Sequence, residues 1–160
     1  MQRLDAPWAQ HLEDGVSYRL GSSTADGRPE ISRALAAQAL PDGRIEVLFN
    51  PQIGATLRLA VAATRRVAFI AAQPGTNRTL HVKGTDAELF APGLGHQPLF
   101  ERCRDRFIAR VEPFGFPRRM LLDMMYDLAA VQLQGLRFTP SGAWDQTPGL
   151  GAGGVVDLLP

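Results

Sequence analysis

One arginine sits alone in the apolar run ISRALAAQAL, residues 31–40, which contains no acidic residue. A guanidinium is planar, permanently charged and able to donate two parallel N–H bonds. Arg33 is therefore either a solvent-facing strand residue or a fork aimed at an oxyanion, and the residues around it leave both readings open. Little else in the chain is poised for chemistry. His11, His81 and His96 are far apart and lack the spacing of a zinc motif, so no metal site is expected. There is no GxGxxG, no P-loop and no GxSxG elbow, and no carboxylate pair is spaced for acid–base work. The lone Cys103 excludes an intrachain disulfide and reads as a small buried apolar residue.

The elements that must position Arg33 follow from period and turn chemistry. Strands are expected over 15–23, 29–40 and 44–49, separated by the turns Asp26-Gly27 and Pro41-Asp42-Gly43. Asn50-Pro51 then opens a helix to about Ala63, with Ile53, Leu57 and Val61 as its apolar stripe. Strands return at 66–72 and 79–90. The second changes parity around Gly84, which suggests a bulge or a sharp bend. A helix over 97–112 buries Leu99, Phe100, Cys103, Phe107 and Val111 and turns Arg102, Arg106 and Arg110 to a solvated face. A shorter helix buries Met120, Leu121, Met124, Met125 and Leu128, and a last strand spans 129–138 with a second parity shift at Gly135. From Thr139 the chain reads as loop. Residues 1–148 form one domain, and 149–160 are expected to be a flexible tail. About six strands with three helices and glycine corners specify a mainly β, α+β fold, an antiparallel barrel.

Apolar residues make up 45% of the 160 and the net charge is +1, which fits one globular core and gives no field for nucleic acid or membrane. The 16 arginines against one lysine read as compositional bias. The segment MQRLDAPWAQHLEDG has no apolar run, so a cytoplasmic chain without a signal peptide is expected.

The ordered set SRALAAQALPDGRIEVLFNPQIGATLRLAVAATRRVAFIAA, then RTLHVKGTDAEL, resembles the pyridoxamine 5′-phosphate oxidase-like family of FMN-binding split barrels. The spacing matches without gaps from about residue 43 to 62, and the likeness extends over about 15–148. The resemblance implies a split β-barrel homodimer with FMN at its interface. It implies that Arg33 meets the FMN phosphate and that Ala34, Leu35, Ala36 and Ala37 run beside the isoalloxazine. Leu48 and Phe49 become a second flavin-contacting pair, Thr79 a polar contact to the ring, and Trp144 a candidate for the aromatic those oxidases supply near their C-terminus. Three cations of those oxidases are replaced. Gly54 and Ala55 stand where an Arg-Lys pair opens the helix, and Gln38 stands for a lysine. Each charge-assisted hydrogen bond is worth about 1.5–3 kcal/mol, so replacements are needed. The helix start after Asn50, with Thr56, the close approach that Gly54 would allow, and Arg58 are the sequence's candidates. The residues that grip pyridoxamine phosphate are not recognisable, so a different small-molecule substrate is expected. The alternative is a binding module without turnover that holds haem, with His81 or His96 as ligand, or another small ligand at the dimer interface, or no cofactor.

Overall fold

The computed structural model describes residues 2–126 and 132–160. Its chain order is α1 (Ala6–His11), β1 (Ser17–Ser23), β2 (Pro29–Ala39), β3 (Ile45–Phe49), α2 (Ala55–Thr64), β4 (Val67–Ala72), β5 (Thr79–Gly84), β6 (Glu88–Phe90), α3 (Gln97–Val111), α4 (Arg118–Met125), β7 (Gln134–Phe138), β8 (Gly142–Asp145) and β9 (Gly154–Val155). All pairings are antiparallel, in the order β6-β7-β3-β2-β1-β4-β5-β8-β9.

The strand expected over 79–90 is broken into β5 and β6, and the break closes the barrel. β5 pairs with β4, whereas β6 pairs with β7. One bent segment thus joins the two ends of the run β7-β3-β2-β1-β4. The bend is at Gly84, where a Cβ would lie 2.5 Å from the Phe138 ring and 3.0 Å from the Thr139 carbonyl oxygen. Gly84→Ala should cost about 1–3 kcal/mol as overpacking and lower Tm by several degrees, measured by thermal unfolding. Gly135 is the second corner, and there a Cβ would run into the Phe90 ring.

Core-facing residues of β1 to β5, β7 and β8 meet inside this barrel. Tyr18 stacks on Phe69 at 5.9 Å, and Phe69 meets Phe138 edge-on at 6.3 Å. The Tyr18 hydroxyl donates to the Leu12 carbonyl oxygen at 2.5 Å, so the one polar tip is satisfied. On β3 all five residues are buried, including Glu46. Its carboxylate accepts from Arg137 Nη2 at 2.7 Å and from Gln38 Nε2 at 2.9 Å, and His96 Nε2 lies 3.2 Å away. Four elements are tied at this one carboxylate.

Several expectations are corrected. The chain takes a turn over 51–54 before α2 begins, because Asn50 Oδ1 accepts from Gln52 N and Ile53 N and so caps the turn. Ile53 therefore falls outside the helix and is exposed, while Leu57, Ala60 and Val61 carry the buried stripe. Met120 is also exposed, whereas Leu121 is buried. Leu128, the side chains of Met124 and Met125, and the expected strand start at Ala129 lie outside the described residues. The chain after Thr139 is not loop, since β8 adds to β5 and β9 adds to β8. Within 149–160, Val156 is buried and Leu159 pairs with Arg3.

The Arg row of α3 does not face bulk solvent alone. Arg102 Nε reaches Glu13 at 2.8 Å, Arg106 Nη1 donates to the Glu13 carbonyl oxygen, and Arg110 grips Asp14 through its carbonyl oxygen and its carboxylate at 2.8 and 2.7 Å. These contacts staple the α1–β1 turn onto α3. The Arg110 bond holds the Asp14 carboxyl below the usual carboxylate range, against a smaller opposing effect of burial. A depressed folded pKa gives stability that is present above the unfolded pKa near 4 and is lost as pH falls through the folded value. Asp14 is half exposed, so Asp14→Asn should cost at most about 1 kcal/mol at pH 7. The difference between the two proteins should vanish near pH 2, measured by urea unfolding.

Candidate functional site

Strand alternation sorts the resemblance's residues onto two faces. Ser32 points to the barrel side, where its Oγ lies 3.0 Å from the position a Cβ would take at Gly54. Arg33, the next residue, points outward. The pairing then lays Arg33, Arg19, Ile70, His81 and Trp144 side by side across β2, β1, β4, β5 and β8. Beside this row lie Gly21, Ile31, Ala68 and Lys83 on one side, and Ser17, Ala72 and Thr79 on the other. Small residues at Gly21 and Ala68 leave an open apolar trough of about 430 Å³ edged by Ile31 and Lys83.

Arg33 is the unusual member of this face. Its guanidinium carbon lies 5.8 Å from the Phe107 ring of α3 and 5.5 Å from the Tyr126 ring just after α4. Aromatic faces suit a guanidinium, which is weakly hydrated and planar. Its Nε is buried with no hydrogen-bond partner among the described residues. Burial lowers the Arg33 pKa, Tyr126 opposes that shift and Arg19 adds to it to a smaller extent, and the group stays charged. Burial pushes the Tyr126 phenol up to about 12 against the pull of Arg33, so it is neutral at working pH. The pocket around Arg33 thus holds a cation and two aromatic rings, with an N–H that has no partner among the described residues.

The other expected residues are placed as follows. Thr79 shares the outward face, half-buried, with its hydroxyl donating to the Asn77 carbonyl oxygen at 2.9 Å. Ala34, Leu35 and Ala36 are buried around a bulge in β2, and Leu48 and Phe49 have no exposed surface in this chain. Asn50 and Thr56 belong to the entry of α2, on the Ser32 side, and Thr56 is exposed. The close approach expected at Gly54 is taken by the chain itself, since a Cβ there would meet the Phe49 ring at 2.8 Å. The start of α2 and Arg33 therefore do not converge on one point within this chain.

The histidines also separate. His96 has both ring nitrogens engaged, Nδ1 with the Gly93 backbone and Nε2 with Glu46. His11 is buried, bonded to the Ala71 carbonyl oxygen and packed on Trp8. His81 is half-buried on the outward row beside Trp144, and burial with the nearby Lys83 lowers its pKa, so it is neutral at pH 7. Among the described residues no three metal-ligating side chains gather, and no helix is long and apolar enough to cross a membrane. Sequence reasoning passed over Arg19 and Ile70. The hairpin register carried the signal for Arg19, which lies as far before Asp26 as Arg33 lies after it.

No family model and no curated protein matches this sequence. Solved structures do. HupZ of Group A Streptococcus superposes with a TM-score of 0.56 at 12% identity, over 94% of this chain and 100% of that one. HutZ, described as the heme storage protein from Vibrio cholerae, gives 0.52 at 16% identity over 89% and 94%. A pyridoxamine 5′-phosphate oxidase-related, FMN binding protein from Nostoc punctiforme gives 0.50 at 16% identity over 92% and 85%. At these identities the likeness establishes the fold.

Proposed function

Starting from a chain with the split β-barrel fold of the pyridoxamine 5′-phosphate oxidase-like proteins, we propose that it is a homodimeric FMN-binding flavoprotein, an oxidoreductase acting on a small molecule. The ligand lies on the outward face of β1, β2, β4 and β5. The observation that carries this reading is Arg33, a charged fork set between two aromatic rings with its Nε unsatisfied among the described residues. An unpaired buried N–H is costly unless an acceptor arrives, and a phosphate oxygen is such an acceptor.

The residues present fit FMN in part. Arg33 suits the phosphate, Thr79 lies on the same face, and Ile70 with Trp144 offers an apolar floor for a planar ring. The α2 entry does not fit as a phosphate cradle, because Phe49 and Ser32 fill the space beside Gly54. When bound, FMN supplies the group that accepts a hydride or electrons, and the protein binds, orients and shields it. Neutral Tyr126 keeps negative charge away from an incoming phosphate. The second copy is supported by apolar surface on the same face, where Ile31 is 72% exposed and Val155 75%. Quenching of flavin fluorescence on titrating FMN with the protein, alongside sedimentation to count protomers, tests this reading. An unquenched flavin overturns it.

A second reading, haem in the same place, is favoured by His81. It is neutral and lies two strands from Arg19, about 10 Å across the sheet. Propionates would then take the arginines and iron the imidazole. A Soret band on adding haem, lost in His81→Ala, would support this reading over FMN.

A further inference from the structure

We propose that Arg19 is the second cation of the anion site that Arg33 begins, and that the pair takes a phosphate monoester. This inference rests on the ligand face described above and names a residue for it that lies outside the resemblance. Arg19 is the direct cross-strand partner of Arg33. Two like charges opposite each other on one face of an antiparallel pair repel, so the arrangement asks for a compensating anion. Among the described residues the outward row and the rows beside it do not provide one. The outward row runs Arg33, Arg19, Ile70, His81, Trp144, and its flanking rows hold Ser17, Gly21, Ile31, Ala68, Ala72, Thr79 and Lys83, without a carboxylate. Neither arginine takes part in an ion pair among the described residues, although arginines elsewhere on the surface do so with Asp14, Asp42, Glu46 and Asp105.

Arg19 Nη1 donates to Ser17 Oγ at 3.2 Å and to the Tyr18 carbonyl oxygen at 2.8 Å, which draws the group toward the start of β1. In the antiparallel pair that end lies beside the second half of β2. These contacts occupy Nη1 of Arg19 and leave its Nε and Nη2 without a protein partner among the described residues. Arg33 contributes the aromatic-walled, desolvated half of the site and Arg19 the half open to solvent. Two guanidiniums match the double charge of a phosphate monoester, which makes Arg19 the replacement for the cations that Gly54, Ala55 and Gln38 do not supply.

The test compares the full-length protein with Arg19→Ala and Arg19→Lys by titration with FMN and with riboflavin, which lacks the phosphate. Arg19→Ala should weaken FMN about 10- to 100-fold, one lost charge-assisted contact, and leave riboflavin unchanged. Arg19→Lys should recover part of the loss. Ligand-free Arg19→Ala should unfold at the same or a slightly higher temperature, because a repulsion is removed. A separate arm follows Tm with inorganic phosphate against chloride at equal ionic strength. If phosphate raises Tm in the wild type only, while FMN does not bind, the anion pair stands and the FMN reading falls. If FMN binds equally well with and without Arg19, or if riboflavin and FMN weaken together, Arg19 is not a phosphate residue.

Discussion

Arg33→Ala should weaken FMN binding about 100- to 10,000-fold. Two charge-assisted hydrogen bonds at about 1.5–3 kcal/mol each are lost, in a site where the guanidinium is already desolvated and has no competing carboxylate among the described residues. The variant should fold, because the described residues give Arg33 no ion pair to lose, and truncation relieves an unsatisfied Nε. Thermal unfolding without ligand should show little change, and equilibrium titration should show the loss. Arg33→Lys should recover little, since an ammonium cannot offer the planar fork or stack as well between the Phe107 and Tyr126 rings. Unchanged FMN affinity in Arg33→Ala would remove the phosphate assignment.

The second large effect is structural. Arg137→Ala should cost about 3 kcal/mol of stability. Glu46 is 2% exposed and would be left with only Gln38 and His96 to meet it. Stripping one partner from a buried pair costs about 3–5 kcal/mol, and the lower end applies because Arg137 is itself about a third exposed. Arg137 also stacks over the Phe90 ring at 4.8 Å. Arg137→Met keeps that packing and should be nearly as damaging if charge is the cause. Adding Glu46→Gln to Arg137→Ala should restore part of the loss by removing the stranded charge, which a double-mutant cycle in urea measures. A loss below about 1 kcal/mol in Arg137→Ala would mean that Glu46 is not the tie between β2, β3, β7 and the start of α3.

What the sequence made legible was local. The Asp26-Gly27 turn and the alternation on either side place Arg33 on a strand, and the structure supplies the register that sets it opposite Arg19. The parity shift at Gly84 announced the bend, and the structure shows that the bend closes the barrel onto β7. The misses are long-range. Arg102 looked solvated because helical period reports only which face is apolar, while its partner Glu13 lies 89 residues away in the chain. β8 reads as loop in the sequence because GAWD is four residues after a Thr-Pro, and only the open edge of β5 makes it a strand. Ile53 fits the apolar stripe of a helix that a capped turn delays by four residues. The candidate site divides the same way. Arg33 and Thr79 come from strands whose facing could be read. The Phe107 and Tyr126 walls arrive from the C-terminal helices, and no spacing in the sequence links them to Arg33. Gly54 was read as room for a phosphate, whereas it is room for Phe49 and Ser32.

The most direct test of the FMN reading is a visible absorption spectrum of the protein purified without added cofactor, followed by titration with FMN. The account predicts a flavin spectrum, or uptake that saturates at one FMN per protomer and is abolished together with Arg33. A colourless protein that leaves FMN free at every concentration tested would contradict it.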